Sequence, residues 1–252
     1  MPLDLLYAWL MIGLRSLGVA VLLPTPGGRP LPPTLRAALA FLMATVLAGI
    51  VPHAPMPPDG AWGLMAVAAS REMVLGLALG FVGRTVFAGA ELAGRLIANE
   101  LGLTAAPGFD VPTPAQEPLP TFVAAFAALL FFLIGGHEGA IAAFARSFDL
   151  APAGAAAFGP QAASALVSAT GYVIELGLRI AAPFIALNFV ITLAFAILGR
   201  AVPRMNVFIA SYPVRTVIGF SLLAGAGGLI GRYLWMAAEG LPWRMLELVA
   251  RG

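Results

Sequence analysis

The chain has 252 residues, of which 60% are hydrophobic and only 10% charged, with 14 Arg, no Lys, 12 acids, two His and no Cys. A soluble domain carries about 25% charged residues, so most of this surface is built for a bilayer or a large apolar assembly, and a freestanding cytosolic enzyme is excluded. The arginines behind the net charge of +2 are scattered singly along apolar segments and form no basic patch for nucleic acid, while the missing Cys and Lys remove thiolate and Schiff-base chemistry.

In chain order, Met1-Pro2-Leu3-Asp4 lacks the basic n-region of a cleavable signal, so none is expected. A first helix is predicted from Leu3 to about Leu23, interrupted only by Arg15 and ended by the punctuation from Pro24 to Pro33. Between Arg36 and Asp59 lie 22 uncharged residues, predicted helical to about Val51 and then closed by Pro52, Pro55, Pro57 and Pro58. From Ala61 to Leu101 apolar residues alternate with Arg71, Glu72, Arg84, Glu91, Arg95 and Glu100, without proline. One helix of that length would run about 60 Å, twice a bilayer core of about 30 Å. A bend into a hairpin, or a departure from the hydrocarbon, is therefore expected. Gly76 with Gly80, and Ala90 with Gly94, are small-residue pairs suited to close helix contact.

The stretch from Gly102 to Pro120 is different material: five prolines and two glycines around Asp110 and Glu117 predict a loop of about 19 residues. Apolar Phe109 and Val111 flank Asp110, so two readings stand: an external connection, or a constriction set between helices, where irregular backbone is tolerated. Further helices are predicted between Glu117 and Glu138, broken at Gly135-Gly136-His137; from near Gln161 to Glu175; from Arg179 to Arg200; and from about Val214 to Ala238, where Gly227 and Gly231 form another close-contact pair. The fold class is all-α, with six to eight hydrophobic, membrane-type helices arranged as hairpins in a single integral-membrane domain over 1–252. Arg200, Arg204 and Arg215 place their connection in the cytoplasm by the positive-inside rule, but Arg29 and Arg36 leave the full topology open.

Few residues offer chemistry. His53 and His137 stand in unrelated turns, with no metal-ligand spacing, nucleophile elbow, Walker loop or dinucleotide fingerprint around them. No catalytic residue, metal or cofactor is expected; an intramembrane enzyme would have to depend on His137 or Asp110. A charge inside an apolar helix costs a few kcal/mol unless paired or hydrated. Arg71 with Glu72, Arg84, and Glu91 with Arg95 are thus candidate buried charges, serving either as neutralised structural pairs or as the pathway of a small-solute or ion transporter. Glu175 and Arg179, four residues apart, admit the same two readings.

From Arg200 the chain reads Ala201-Val202-Pro203-Arg204-Met205-Asn206-Val207-Phe208-Ile209, then Tyr212-Pro213-Val214-Arg215 and Gly219, and here it resembles the FliR family of flagellar export-gate subunits, whose injectisome counterpart is the T component. Arg15, Pro24, Pro32 and Arg36 are similar to that family's first hairpin, Arg71-Glu72 with Gly76 and Gly80 to its central helix, and Gly136-His137 to a later Gly-His. Asp110 matches the family's loop Asp, though Val111 rather than proline follows it.

The resemblance implies a non-catalytic, multi-pass subunit of the bacterial inner membrane, within a flagellar or injectisome basal body. One copy would join P-type and Q-type export-gate subunits, meet the B-type switch protein and membrane lipid, and help form the pore for unfolded export substrates. It further implies that the 102–118 loop, with Gly102, Leu103, Phe109, Asp110 and Val111, plugs that pore, Phe109 packing as a gasket. To Pro203, Met205, Asn206, Val207, Phe208 and Pro213 it assigns family identity and no chemical role.

Overall fold

A computed structural model describes residues 3–22, 32–58, 61–103, 118–202 and 206–250, save the side chain of Phe208. Among them are eight helices: α1 (Leu3–Leu22), α2 (Pro33–Leu47), α3 (Trp62–Glu100), α4 (Pro118–Leu133), α5 (Gly136–Leu150), α6 (Pro160–Ala201), α7 (Val207–Glu239) and α8 (Leu241–Ala250). The only extended pairing among the described residues is a short bridge between the connections at His53 and Ala153. By length and apolar composition, α1, α3, α6 and the Ile209–Ala250 stretch can each cross a membrane, and α4 with α5, bent by 72°, would make a fifth span.

The boundaries follow local chemistry. Pro33 opens α2, its fixed φ and missing N–H costing nothing in a first turn. Gly135, at φ 71°, turns the chain between α4 and α5.

Two expectations are corrected and a third is narrowed. Of the two alternatives for the 61–101 stretch the hairpin does not form: α3 is one continuous 39-residue helix, longer than a bilayer core, because no proline interrupts it and internal glycines only weaken a helix whose packing holds it. The two helices expected on either side of Glu175 and Arg179 are one 42-residue helix, α6. The two residues pair at 2.5 Å along it, an i, i+4 contact that supports a helix rather than ending it. Pro183 removes one N–H from α6 and Pro213 one from α7 without ending either, so α7 begins at Val207, seven residues before the expected start.

The chain divides into two compact units, one of Met1–Thr85, Phe131–Gly171 and Ala238–Gly252, the other of Val86–Leu130 and Tyr172–Ala237. In the first, α1 lies against α2 through Trp9, whose ring meets Phe41 edge-on at 5.2 Å and whose Nε1 donates to Thr45 Oγ1 at 3.2 Å. Against α3, α1 closes to backbone contact: a Cβ on Gly76 would stand 2.2 Å from the Arg15 carbonyl oxygen, and one on Gly18 2.6 Å from the Leu77 nitrogen. The small-residue pair at Gly76 and Gly80 thus does what its spacing predicts. Phe144 and Phe148 of α5 and Leu241, Met245 and Leu248 of α8 complete this core.

In the second unit α3 meets α6 by exchange of leucines into glycines, Leu176 over Gly89 and Leu92 over Gly177, and Gly94 receives the backbone of Pro120. Among the described residues Gly231 has only Phe126, at 3.7 Å, and Gly227 has nothing within 4 Å, so the close contact expected of that pair does not form among them. Spacing shows where backbones can approach; which face turns inward is set by the other helices.

Candidate functional site

Two polar constellations stand out against this apolar background, one in each unit. In the second unit the end of α3 is closed by a helix-terminating turn. Gly102, at φ 75°, donates its N–H to the Asn99 carbonyl at 3.0 Å, and Leu103 donates to Ala98 at 2.9 Å. This is the paired 5→2 and 6→1 pattern that satisfies last-turn carbonyls, and its left-handed residue is favoured as glycine. A Cβ on Gly102 would also press on the Tyr212 ring at 3.0 Å, and one on Gly219 on the Leu101 side chain at 2.6 Å.

Polar contacts reinforce that seat. Thr216 Oγ1 lies 3.1 Å from the Leu101 carbonyl oxygen and 3.1 Å from that of Tyr212, sharing its single proton between them. Glu100 accepts a hydrogen bond from Asn188 Nδ2 of α6. Arg215 Nη2 of α7 donates to Thr192 Oγ1 at 3.2 Å, and Thr192 in turn donates to the Asn188 carbonyl at 2.7 Å. Asn188 Oδ1 and Arg215 Nε are buried without a hydrogen-bond partner among the described residues.

The first unit holds an ion pair with no exposed side-chain surface. Arg15 Nε donates to Glu72 Oε2 at 2.6 Å and Nη2 to Oε1 at 3.0 Å, the two parallel bonds that suit guanidinium to carboxylate. Nη1 donates to Ser147 Oγ at 3.1 Å, and Nη2 also to the Ala151 carbonyl at 2.9 Å. Glu72 accepts in addition from the Gly154 N–H at 2.8 Å, and the Phe148 ring centroid lies 4.0 Å from the guanidinium carbon. Four segments, α1, α3, α5 and the 151–154 turn, are thereby joined at one point. Every guanidinium nitrogen has a partner, which is what makes a buried charge tolerable.

The expected residues distribute as follows. Of the loop, Gly102 and Leu103 are described, whereas Phe109, Asp110 and Val111 lie outside the described residues. Of the family stretch, Pro203 and Met205 lie outside them, and of Phe208 only the backbone, within α7, is described. Asn206 acquires a role that the sequence left blank: its Oδ1 accepts from the Ile209 N–H at 3.3 Å and its carbonyl from Ala210, so it caps α7. Val207 packs where a Cβ on Gly199 would stand, at 2.7 Å, and Pro213 sits inside α7.

Of the five candidate buried charges Glu72 alone is buried, and its partner is Arg15, 57 residues away, rather than adjacent Arg71. Arg71 is a surface residue lining an open depression of about 410 Å³ with Ser70, Val74, Ala157, Phe158 and Gly159, and Arg84 also lies on the surface. Adjacent helix positions point about 100° apart, so Arg71 and Glu72 could not share a face. Glu91 and Arg95 pair at 3.7 Å, with Arg95 60% exposed. Sequence reasoning missed the Arg15 pairing, although the signal was present: a single charge midway along an apolar helix requires a carboxylate from elsewhere.

The His137 ring lies against that of Phe132, tilted by 45° with ring centroids 5.2 Å apart, and His53 Nδ1 lies 3.3 Å from the Ala54 carbonyl oxygen. No group of three potential metal ligands occurs among the described residues.

Long apolar helices, close glycine contacts and a fully compensated buried ion pair define an all-helical, multi-pass membrane protein. Residues 6–239 match the family model described as bacterial export proteins, family 1, and the chain belongs to that family. It is 28% identical over 229 residues to the flagellar biosynthetic protein FliR of Escherichia coli, covering 90% of this chain and 86% of that one. To the flagellar biosynthetic protein FliR of Bacillus subtilis it is 27% identical over 225 residues, 87% of this chain and 86% of the relative. To the Yop proteins translocation protein T of Yersinia pestis it is 26% identical over 197 residues, 75% and 73% of the two chains. The protein is therefore a non-enzymatic component of the flagellar or type III export apparatus, held in the bacterial inner membrane by its helices.

Proposed function

We propose that this chain is a wall-forming subunit of the export pore, present in one copy beside P-type and Q-type subunits and in contact with the B-type switch protein, and that its 102–118 loop plugs the pore until an unfolded substrate arrives. The observation that carries the plug reading is where the loop begins and ends. Leu103 leaves from the turn seated on Tyr212, and the chain returns at Pro120, packed on Gly94. Leu101 and Gly94 are seven residues apart on α3, or about 10 Å along the helix axis. The 14 residues at 104–117 have a contour of up to about 50 Å, far more than closing that gap requires. A segment serving only to connect α3 to α4 would need a fraction of it.

The partner assignment draws on family membership and on the surface of α6 and α7, where Phe189, Val190, Ile197, Ile209 and Val217 are each more than 60% exposed on the chain by itself. Neighbouring apolar helices or lipid would cover them. As a domain, 1–252 acts in this reading as one membrane unit. The rival reading, a solute or ion transporter using the 71–95 charges, has no continuous charged path behind it: Glu72 is committed to Arg15, while Arg71 and Arg84 stand on the surface.

The test is deletion of residues 104–117, bridged by a short glycine linker, in cells carrying the complete apparatus. Ion and small-solute leak should rise while P-type and Q-type subunits still copurify with the chain. A membrane that stays tight around an assembled complex refutes the plug.

A further inference from the structure

We infer that Arg71 of α3 is the docking point for a carboxylate, an Asp or Glu carried on an apolar helix of a neighbouring subunit; this rests on the reading above that such helices cover the chain. Arg71 is a cation without a counterion. Among the described residues it makes neither an ion pair nor a hydrogen bond, whereas Glu72 beside it is taken up by Arg15 and the Gly154 N–H. Its surroundings make that isolation costly. Leu64, Val67, Arg71 and Val74 are exposed and stand three or four residues apart, so they form one stripe along α3 that is apolar except for the guanidinium. A charge in such a stripe is retained where an opposite charge or water reaches it.

Depth selects the anion. Glu72, the next residue, is bonded to Arg15, which lies well inside α1, a 20-residue helix long enough for one membrane crossing. From Arg15 to Leu22, the nearer end of α1, is about 10 Å along the axis, and Arg71 is level with that interior point. A lipid phosphate belongs at the bilayer surface, whereas a carboxylate on a neighbouring helix can stand at any depth.

The chain also has room for it. The depression of about 410 Å³ beside Arg71 is lined in addition by Ser70, Val74, Ala157, Phe158 and Gly159, and clefts of about 300–1,000 Å³ accept small ligands, so one projecting side chain fits. Ser70 spends its proton on the Val67 carbonyl at 2.8 Å, which leaves the guanidinium as the side-chain donor for an anion. α6 begins at Pro160, next to Gly159, and the positive end of its dipole adds to the attraction. The guanidinium fork receives a carboxylate through two parallel bonds, as Arg15 receives Glu72 within the chain.

The experiment uses the full chain in cells with the complete apparatus. Wild-type and variant chains are coexpressed, and mass spectrometry compares their ratio in complexes recovered through a tagged P-type subunit with their ratio in whole membranes. Arg71→Gln strands the partner's carboxylate and should be depleted from the complex at least about thirtyfold. Arg71→Lys, which keeps the charge and loses the fork, should be depleted less. Arg71→Glu should regain its place when one membrane-helix acid of a neighbouring subunit, each tried in turn, is changed to Arg. As the chain has no Cys of its own, Val74→Cys leaves Arg71 intact and should form a disulfide with a Cys placed one turn from that acid.

The outcomes separate. A wild-type chain absent from the recovered complexes overturns the reading of its neighbours, and this inference with it. Arg71→Gln incorporated in wild-type proportion overturns the carboxylate site and leaves the neighbours standing. Depletion of Arg71→Gln with no charge reversal restoring Arg71→Glu, and no cross-link from Val74→Cys, overturns a carboxylate partner; phospholipid lost from the complexes of that variant would then identify a lipid headgroup in its place. If the Arg71 variants are missing from whole membranes, the Val74→Cys cross-link decides alone: its formation beside one acid supports the site, and its absence beside every acid overturns it.

Discussion

The Arg15 and Asn188 neighbourhoods are both polar sites in a chain that is 60% hydrophobic, yet they are built to opposite standards. Around Arg15 each guanidinium nitrogen has a partner and neither ion has exposed side-chain surface. Around Asn188 the carboxylate of Glu100 meets an amide instead of a cation, and Asn188 Oδ1 and Arg215 Nε are buried without hydrogen-bond partners among the described residues. A network satisfied to this degree has one arrangement and loses heavily in any other. A partly satisfied one has alternatives close in energy and would be a defect at the crossing of α1 and α3.

The sharpest way to break this contrast is Glu72→Ala, which strands Arg15 in the interior. A loss of about 3–5 kcal/mol is expected, read as failure of the chain to accumulate or as early unfolding of the detergent-solubilised complex. Arg15→Met combined with Glu72→Leu should be milder than either single change, because no charge is left uncompensated. If the double variant is the worse, the network contributes more than neutralisation.

Next in size is Gly76→Ala. Its new Cβ would stand 2.2 Å from the Arg15 carbonyl oxygen, forcing α1 and α3 apart and stretching the bonds to Glu72, at a cost of about 1–3 kcal/mol. Gly227→Ala, with nothing within 4 Å among the described residues, is the control. Equal thermal shifts for the two in the solubilised chain would show that the close approach carries no weight.

The smallest effect belongs to the Asn188 region. Gly102→Ala places a Cβ on a left-handed residue and against Tyr212, for a cost of about 1–2 kcal/mol at the end of one helix. Local amide exchange at 101–103 should quicken while the melting of the whole chain barely moves. A large global shift would mean that this region is as tightly integrated as the ion pair.

Much of this was legible beforehand. The prolines at 24–33 and 52–58 marked the end of α1 and the break after α2, Gly135-Gly136-His137 the break between α4 and α5, and Gly76 with Gly80 a real backbone crossing. Asn206 was singled out as part of a motif, but its capping role needed the helix start at Val207, which Pro213 disguised. Gly227 and Gly231 carried the same signature as Gly76 and Gly80 and meant something else, because spacing says that an approach is possible and not what stands opposite.

By itself, then, the order of residues determined the class of solvent, the helical class, the position of most breaks and the family, since each of these depends on composition or on contacts a few residues apart. Tertiary structure alone decided that Glu72 answers Arg15, that α3 and α6 run unbroken past their charges, and that Asn188 and Thr216 close on the end of α3. Those outcomes join residues 57, 88 and 115 positions apart. At such separations no local preference ranks one carboxylate or carbonyl above another; the choice falls to how the apolar helices pack, which at Arg15 gives a buried charge its counterpart.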